Sequence, residues 1–210
     1  YKRQICRSIR TTGVPESILQ EKISDLIEDF KKDCDIAFLP HRMLGVDIRI
    51  TSINNEKIED LIRLILDRIK KYVYGFDNDK LEEVIANSFI KNSVTISTAE
   101  SCTAGLLSAK LTDFPGSSKY YKGGSICYSN ELKILDVNVD KKLIDKHGAV
   151  SEEVAGALAR GIAEKNGTDM GIGITGIAGP DGGTEKKPVG LVFVGIFYKN
   201  NLYIKRYNLT

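Results

Sequence analysis

The sequence predicts an α/β protein: a three-layer α/β/α unit on a mixed sheet, preceded by a small α+β unit. Three observations predict it. From residue 94 onward, short apolar runs alternate with helix-patterned ones and close in a strand pair, the pattern of a mixed sheet covered on both faces. Before residue 76, two amphipathic helical patterns bracket two strand patterns. Between these blocks stands YGFDND (74–79), rich in turn residues.

In the first block, Gly13-Val14-Pro15-Glu16-Ser17 punctuates a helix start. Ile18, Ile23, Leu26, Ile27 and Phe30 then recur at helical spacing to about residue 32. A short strand is predicted over 36–40. Over 46–53, Val46, Ile48 and Ile50 alternate with Asp47, Arg49 and Thr51, as a half-buried strand requires. Ile58, Leu61, Ile62, Ile65 and Ile69 mark a second helix over 56–72. This α-β-β-α unit, residues 1–75, gathers no cluster of histidine, cysteine or paired carboxylates and reads as a structural or spacer domain.

The second block, 76–210, opens with a helix over 80–90 and a strand over 94–98. A helix over 103–112 follows, then an extended run over 117–128 whose Gly123-Gly124 marks a bulge or a close approach. Helices are predicted over 130–136, 141–146 and 152–166, and strands over 171–175, 191–198 and 202–208. The loop GIAGPDGGTEKKPVG (176–190) holds five glycines and two prolines in fifteen residues.

Composition excludes several classes of function. The 210 residues are 42% hydrophobic and 28% charged, with a net charge of only +2. Basic residues are scattered among acidic ones, which gives no electrostatic footprint for nucleic acid or a membrane surface. No apolar run approaches a membrane span. Four cysteines at 6, 34, 102 and 127 show neither C-x-x-C spacing nor a nearby histidine, so zinc ligation and a disulfide framework are not expected. Reduced thiols in the cytoplasm are the default. The chain starts at Tyr1 and stops at Thr210 on a strand-like run, and reads as a piece of a longer protein.

The chemistry centres on STAESCTAG (97–105), where Ser101 and Cys102 stand side by side between a strand and a helix. Free amides at such a helix start stabilise an oxyanion. The plainer reading makes Ser101, or Thr98 before it, a helix N-cap. Cys102 needs a thiolate, usually made by a paired histidine. The two histidines are His41, in the first block, and His147, at a helix end where it suits a cap. A small buried thiol inside a helix is the commoner fate of such a cysteine.

Serine needs a base, and YSNELK (128–133) offers one. With Ser129 or Asn130 as cap, Lys133 falls in the first helical turn, where the macrodipole disfavours a cation. A lysine base must be brought from about 10.4 to near 7. The dipole, at about 0.3–1 kcal/mol, supplies a small part of that, so desolvation must supply the rest. The alternative is a solvated surface lysine. The glycine-rich loop presents amides suited to phosphate or carboxylate, but matches neither the P-loop nor G-x-G-x-x-G. A long hairpin connection, with Pro180 and Asp181 as turn formers, explains it equally well.

Four segments together resemble one family: TAESCTAG, GSSKYYKGGSICYSNELK, HGAVSEEVA and GITGIAGPDGGTEKKPVG are similar to the C-terminal domain of the competence-damage-inducible protein CinA family. TTGVPES and VDIRIT resemble that family's middle, KH-like domain. The resemblance implies hydrolysis of nicotinamide mononucleotide to nicotinate mononucleotide and ammonia, through a Ser-Lys acyl-enzyme. It implies Ser101 as nucleophile, Lys133 as general base and Tyr128 beside them. The amides of Cys102, Thr103, Ala104 and Gly105 are expected at the oxyanion, and Gly176, Gly179, Gly182 and Gly183 at the nucleotide. No cofactor is expected for this step. A divalent metal would belong to the family's N-terminal domain, to which an ADP-ribose pyrophosphatase activity is ascribed. A homodimer with a small-molecule nucleotide substrate, and no membrane or direct nucleic-acid partner, is implied.

Two departures stand out. The family's usual TAESCTGG reads TAESCTAG here, so Ala104 is expected to narrow the pocket. The family also continues past the last strand with a Ser-Gly-Asp-Arg segment and a helix, so the chain ending at Thr210 is expected to be poorly active. The rival reading is a nucleotide-binding or assembly fragment of a protein whose main activity is the pyrophosphatase.

Overall fold

A computed structural model describes residues 4–41 and 45–209, which divide into two compact units between Val84 and Ile85. Tyr1 and Thr210, on which the reading of a piece of a longer protein rests, lie outside the described residues.

In the first unit β1 (Ile5–Thr11), α1 (Glu16–Phe30), β2 (Asp35–His41), β3 (Gly45–Ser52), α2 (Asn55–Ile69) and β4 (Val73–Phe76) follow in order. The strands pair antiparallel as β2-β3-β1-β4. This is a split β-α-β arrangement, so the expected α-β-β-α lacked two strands. β1, ICRSIRT, has no continuous apolar run because Arg10 points to the opposite face from Ile9. There its guanidinium meets the buried Asp47, directly across the register, at 3.1 Å. β4 is only four residues, VYGF, and runs straight into the turn at Asp77-Asn78, so turn chemistry hid it.

The helix periodicity holds. Leu19, Ile23 and Leu26 of α1 and Ile58, Leu61, Ile65 and Ile69 of α2 bury their side chains against Ile9, Val46, Ile48 and Ile50. Each such aliphatic residue contributes about 1.5–3 kcal/mol on burial. Asn54 starts α2 by accepting the Glu56 amide at 3.0 Å, an N-cap bond.

The division between the units falls inside α3 (Leu81–Asn92). The second unit continues with β5 (Ile96–Glu100), α4 (Leu106–Thr112), β6 (Tyr121–Ile126), α5 (Asn130–Val137), α6 (Lys141–His147), α7 (Glu152–Asn166), β7 (Met170–Gly176), β8 (Leu191–Tyr198) and β9 (Asn201–Asn208). Its sheet runs β6-β5-β7-β8-β9, with β6, β5 and β7 parallel and β8 and β9 antiparallel. This is the mixed sheet that the sequence predicts.

Alternation along β5 separates the two cores. Ala99 faces Val154, Leu158 and Ile162 of α7, with Val137 and Ile144. Ile96 faces Ile85, Ala86 and Phe89 of α3 and Leu111 of α4, with Tyr120. Helices therefore cover both faces, giving three layers. The 117–128 run opens as a 3-10 turn over Ser117–Lys119 before β6. The register against β5 slips one residue before Gly123-Gly124, with Lys122 the extra residue between the Ile96-Tyr121 and Ser97-Gly123 pairs; Gly124 is instead a close approach. A Cβ on Gly124 would sit 2.3 Å from the Thr98 hydroxyl.

The parallel strands β6, β5 and β7 end on one edge of the sheet. Open α/β sheets bind ligands outside the carboxyl ends of such strands, and the candidate site lies there.

Candidate active site

Ser101 follows β5 directly and is held from both sides. Its amide donates to the Ile174 carbonyl of β7 at 3.0 Å, and its own carbonyl accepts the Ala104 amide at 3.1 Å. The strand extends to Glu100 and the helix begins only at Leu106, so residues 101–105 form a bend and a turn rather than a helix start. The N-cap position belongs to Gly105, at φ +98°. Neither Ser101 nor Thr98 caps α4; the Thr98 hydroxyl bonds those of Ser108 and Tyr121, at 2.8 and 3.0 Å.

Glu100 does the capping from a distance. Its carboxylate, 1% exposed, accepts the amides of Gly105, Leu107 and Ser108 at 3.1, 3.0 and 2.8 Å, and the Ser108 hydroxyl at 2.5 Å. Burial pushes its carboxyl up, but the Ser108 hydroxyl and these amides outweigh it and hold it below its ordinary value. The sequence reading assigned Glu100 no role. A carboxylate closing an apolar strand just before a candidate nucleophile was the available signal.

Lys133 arrives from α5. Ser129 caps that helix, accepting the Leu132 amide at 3.2 Å, which places Lys133 in the first turn. Helical side chains lean toward the N-terminus, so the lysine curls back past its own helix start. Its Nζ donates to the carbonyls of Cys127 and Tyr128 at 2.9 and 3.2 Å and lies 3.2 Å from Ser101 Oγ. Lys133 is 2% exposed and Ser101 7%. Burial lowers the lysine's pKa, partly opposed by Cys127, Cys102 and Glu131. A neutral amine has two N–H groups and a lone pair. Around Nζ stand the carbonyls of Cys127, Tyr128 and, at 3.5 Å, Ser129, together with the serine hydroxyl, so a neutral amine can give its N–H groups to carbonyls and turn its lone pair to Ser101 Oγ. Chemically, such a contact can serve a general base and a nucleophile.

Cys102 is half-buried on the turn rather than inside a helix. Burial pushes its thiol up, which keeps it protonated. The histidines are engaged elsewhere: His147 Nδ1 pairs with Glu153 at 2.9 Å, and His41 with Asp47 in the first unit.

The Ser101-Lys133 pair opens into a cavity of about 290 Å³, near the lower end of small-molecule sites. Cys102 and Tyr128 share its wall with the pair, and Gly176, Gly179 and Gly182 bring the glycine-rich loop to it. Thr175 and Asp181 also line it, two positions that the sequence reading did not single out as binding residues. Thr103, Ala104, Gly105 and Gly183 lie off the wall. Ala104 is exposed, so its methyl does not narrow the cavity; its consequence is a left-handed φ of +48°. The amides of Ala104 and Gly105 are committed to the Ser101 carbonyl and to Glu100, which leaves those of Cys102 and Thr103 from the expected four.

A larger cavity, about 670 Å³, lies in the first unit between α2 and β4, and no serine or cysteine lines it. Among the described residues no group of three or more His, Cys, Asp or Glu side chains gathers to hold a metal ion. No helix there is long and apolar enough to cross a membrane.

Two family models match the chain: the CinA C-terminal domain over residues 78–210 and the damage-inducible protein CinA KH domain over residues 6–75. A CinA-like protein of Dictyoglomus thermophilum is 43% identical over 97% of this chain and 51% of its own length. A putative competence-damage inducible protein of Clostridium botulinum is 44% identical over 96% and 50%. The chain thus spans about half the length of these relatives. Among solved structures, a competence/damage inducible protein of Agrobacterium tumefaciens aligns at TM-score 0.60 and 34% identity, over 62% of this chain and 79% of its own. A CinA superfamily protein of Escherichia coli aligns at 0.60 and 30%, over 62% and 76%.

Proposed function

The chain belongs to the CinA family, and we propose that its second unit is an amidase converting nicotinamide mononucleotide and water to nicotinate mononucleotide and ammonia. The observation that carries this reading is the buried Ser101-Lys133 contact at 3.2 Å, facing the cavity.

In this mechanism neutral Lys133 takes the Ser101 proton as Oγ attacks the carboxamide carbon. The amide of Cys102, on the cavity wall beside Ser101, receives the oxyanion. The lysine returns its proton to the leaving nitrogen, so ammonia departs and an ester remains on Ser101. Water, deprotonated by the same lysine, then attacks the ester and frees the acid. Exposed Tyr128 flanks the cavity mouth, where it fits stacking on the pyridine ring better than proton transfer. The step needs no cofactor, and we assign it to a cytoplasmic homodimer.

The test is product identification. Full-length protein given nicotinamide mononucleotide should release ammonia and nicotinate mononucleotide one for one. Untouched substrate, or nicotinamide freed by glycosidic cleavage, would overturn the reading.

A further inference from the structure

The glycine-rich loop has one long side chain that leaves it to grip another wall of the cavity. Lys187 donates from Nζ to the carbonyls of His147 and Val150, each at 2.7 Å. The first of these is the last carbonyl of α6, the negative end of that helix. Gly148 makes the approach possible. It sits at φ +77°, and a Cβ there would come 2.8 Å from Lys187 Nζ. The loop prepares its half of the contact as well. The Thr184 amide donates to the Lys187 carbonyl at 2.7 Å, and the Lys187 amide to the Thr184 hydroxyl at 3.1 Å. That turn fixes the direction in which Lys187 leaves.

Both segments that this contact joins contribute to the cavity wall. Ala149 and Val150 line it from the accepting segment, and Ile177, Ala178, Gly179, Asp181 and Gly182 line it from the loop. The Thr175 hydroxyl adds a second tie, donating to the Ala149 carbonyl at 2.8 Å. Lys187 itself is not on the wall.

We propose that Lys187 is a positioning residue, a latch that holds the 176–190 loop against the 147–150 segment and so sets the shape of the substrate cavity. The inference rests on the amidase reading of that cavity. The Ser101-Lys133 pair sits on other elements, so loss of the latch costs substrate binding rather than chemistry.

Two readouts test it on the full-length protein: steady-state kinetics with nicotinamide mononucleotide, and hydrogen exchange of the 176–190 amides. Lys187→Met should raise KM by about tenfold or more while kcat stays within about threefold, and should speed loop exchange about tenfold or more. Lys187→Arg keeps the cation and should restore most of both. Lys186→Met, at the neighbouring lysine, serves as the control. Unchanged loop exchange in Lys187→Met overturns the latch. Faster exchange with unchanged KM overturns its role in substrate binding. If wild type leaves the nucleotide untouched, the amidase reading falls and loop exchange alone decides the latch.

Discussion

Lys133 Nζ lies 3.2 Å from Ser101 Oγ, and both residues are buried. The contact joins the turn after β5 to the first turn of α5. The proposed step depends on the lysine being neutral, and the environment shifts the balance toward that form. Burial is the main cause, since it penalises the ammonium.

The lowered lysine pKa sets the sign of a pH dependence. Activity should rise with pH along a limb whose midpoint lies below the ordinary lysine value of 10.5. Between the folded and unfolded values the unfolded chain binds more protons, so stability should also rise with pH there. Chemical denaturation across that window should show wild type gaining on Lys133→Met as pH increases. Parallel curves would mean that the lysine titrates alike in both states.

Glu100 titrates in the opposite sense. Its folded pKa is lowered, so its contribution is present above the ordinary value of 4.5 and is lost as pH falls through the folded one. Glu100→Gln should cost about 2 kcal/mol at neutral pH, since the amides and the hydroxyl lose a charged acceptor. The variant should also show a flatter acid limb than wild type in urea melts. Equal stability at pH 7 would show that Glu100 does not hold the turn.

Ala104 holds φ at +48°, a region that costs an L-residue about 1–2 kcal/mol. Glycine removes that strain but loses more entropy on folding, about 0.5–1 kcal/mol. Ala104→Gly should therefore stabilise by roughly 0.5–1 kcal/mol, read as a higher urea midpoint with an unchanged slope. A lower midpoint would contradict the strain.

Cys102 and Ser101 should separate cleanly. Cys102→Ala should slow ammonia release less than about tenfold, because its thiol is held protonated and takes no part in the proposed step. A loss of about a thousandfold with the fold intact would transfer the nucleophile's role to the thiol.

Much of this was legible in the chain because local pattern and tertiary demand agree. The isoleucines of α2 and the alternation of β3 read directly, and the mixed sheet followed from the order of apolar runs. β1 and β4 did not read. The partner that makes Arg10 tolerable is Asp47, 37 positions away, and four residues carry too little period to outweigh a following turn. Ser101 and Lys133 were legible as residue types. Their meeting depends on β5 and β6 lying side by side, which spacing does not encode. Glu100 stayed hidden because its partners are backbone amides, which carry no side-chain signature.

The most direct test of the central claim is the rate of ammonia release from nicotinamide mononucleotide by full-length wild type, Ser101→Ala and Lys133→Met. A serine nucleophile with a lysine base predicts losses of about a thousandfold or more in kcat for each. The double variant should be little worse than either single one, because the two residues act as a unit. Equal rates in all of these proteins would contradict the account.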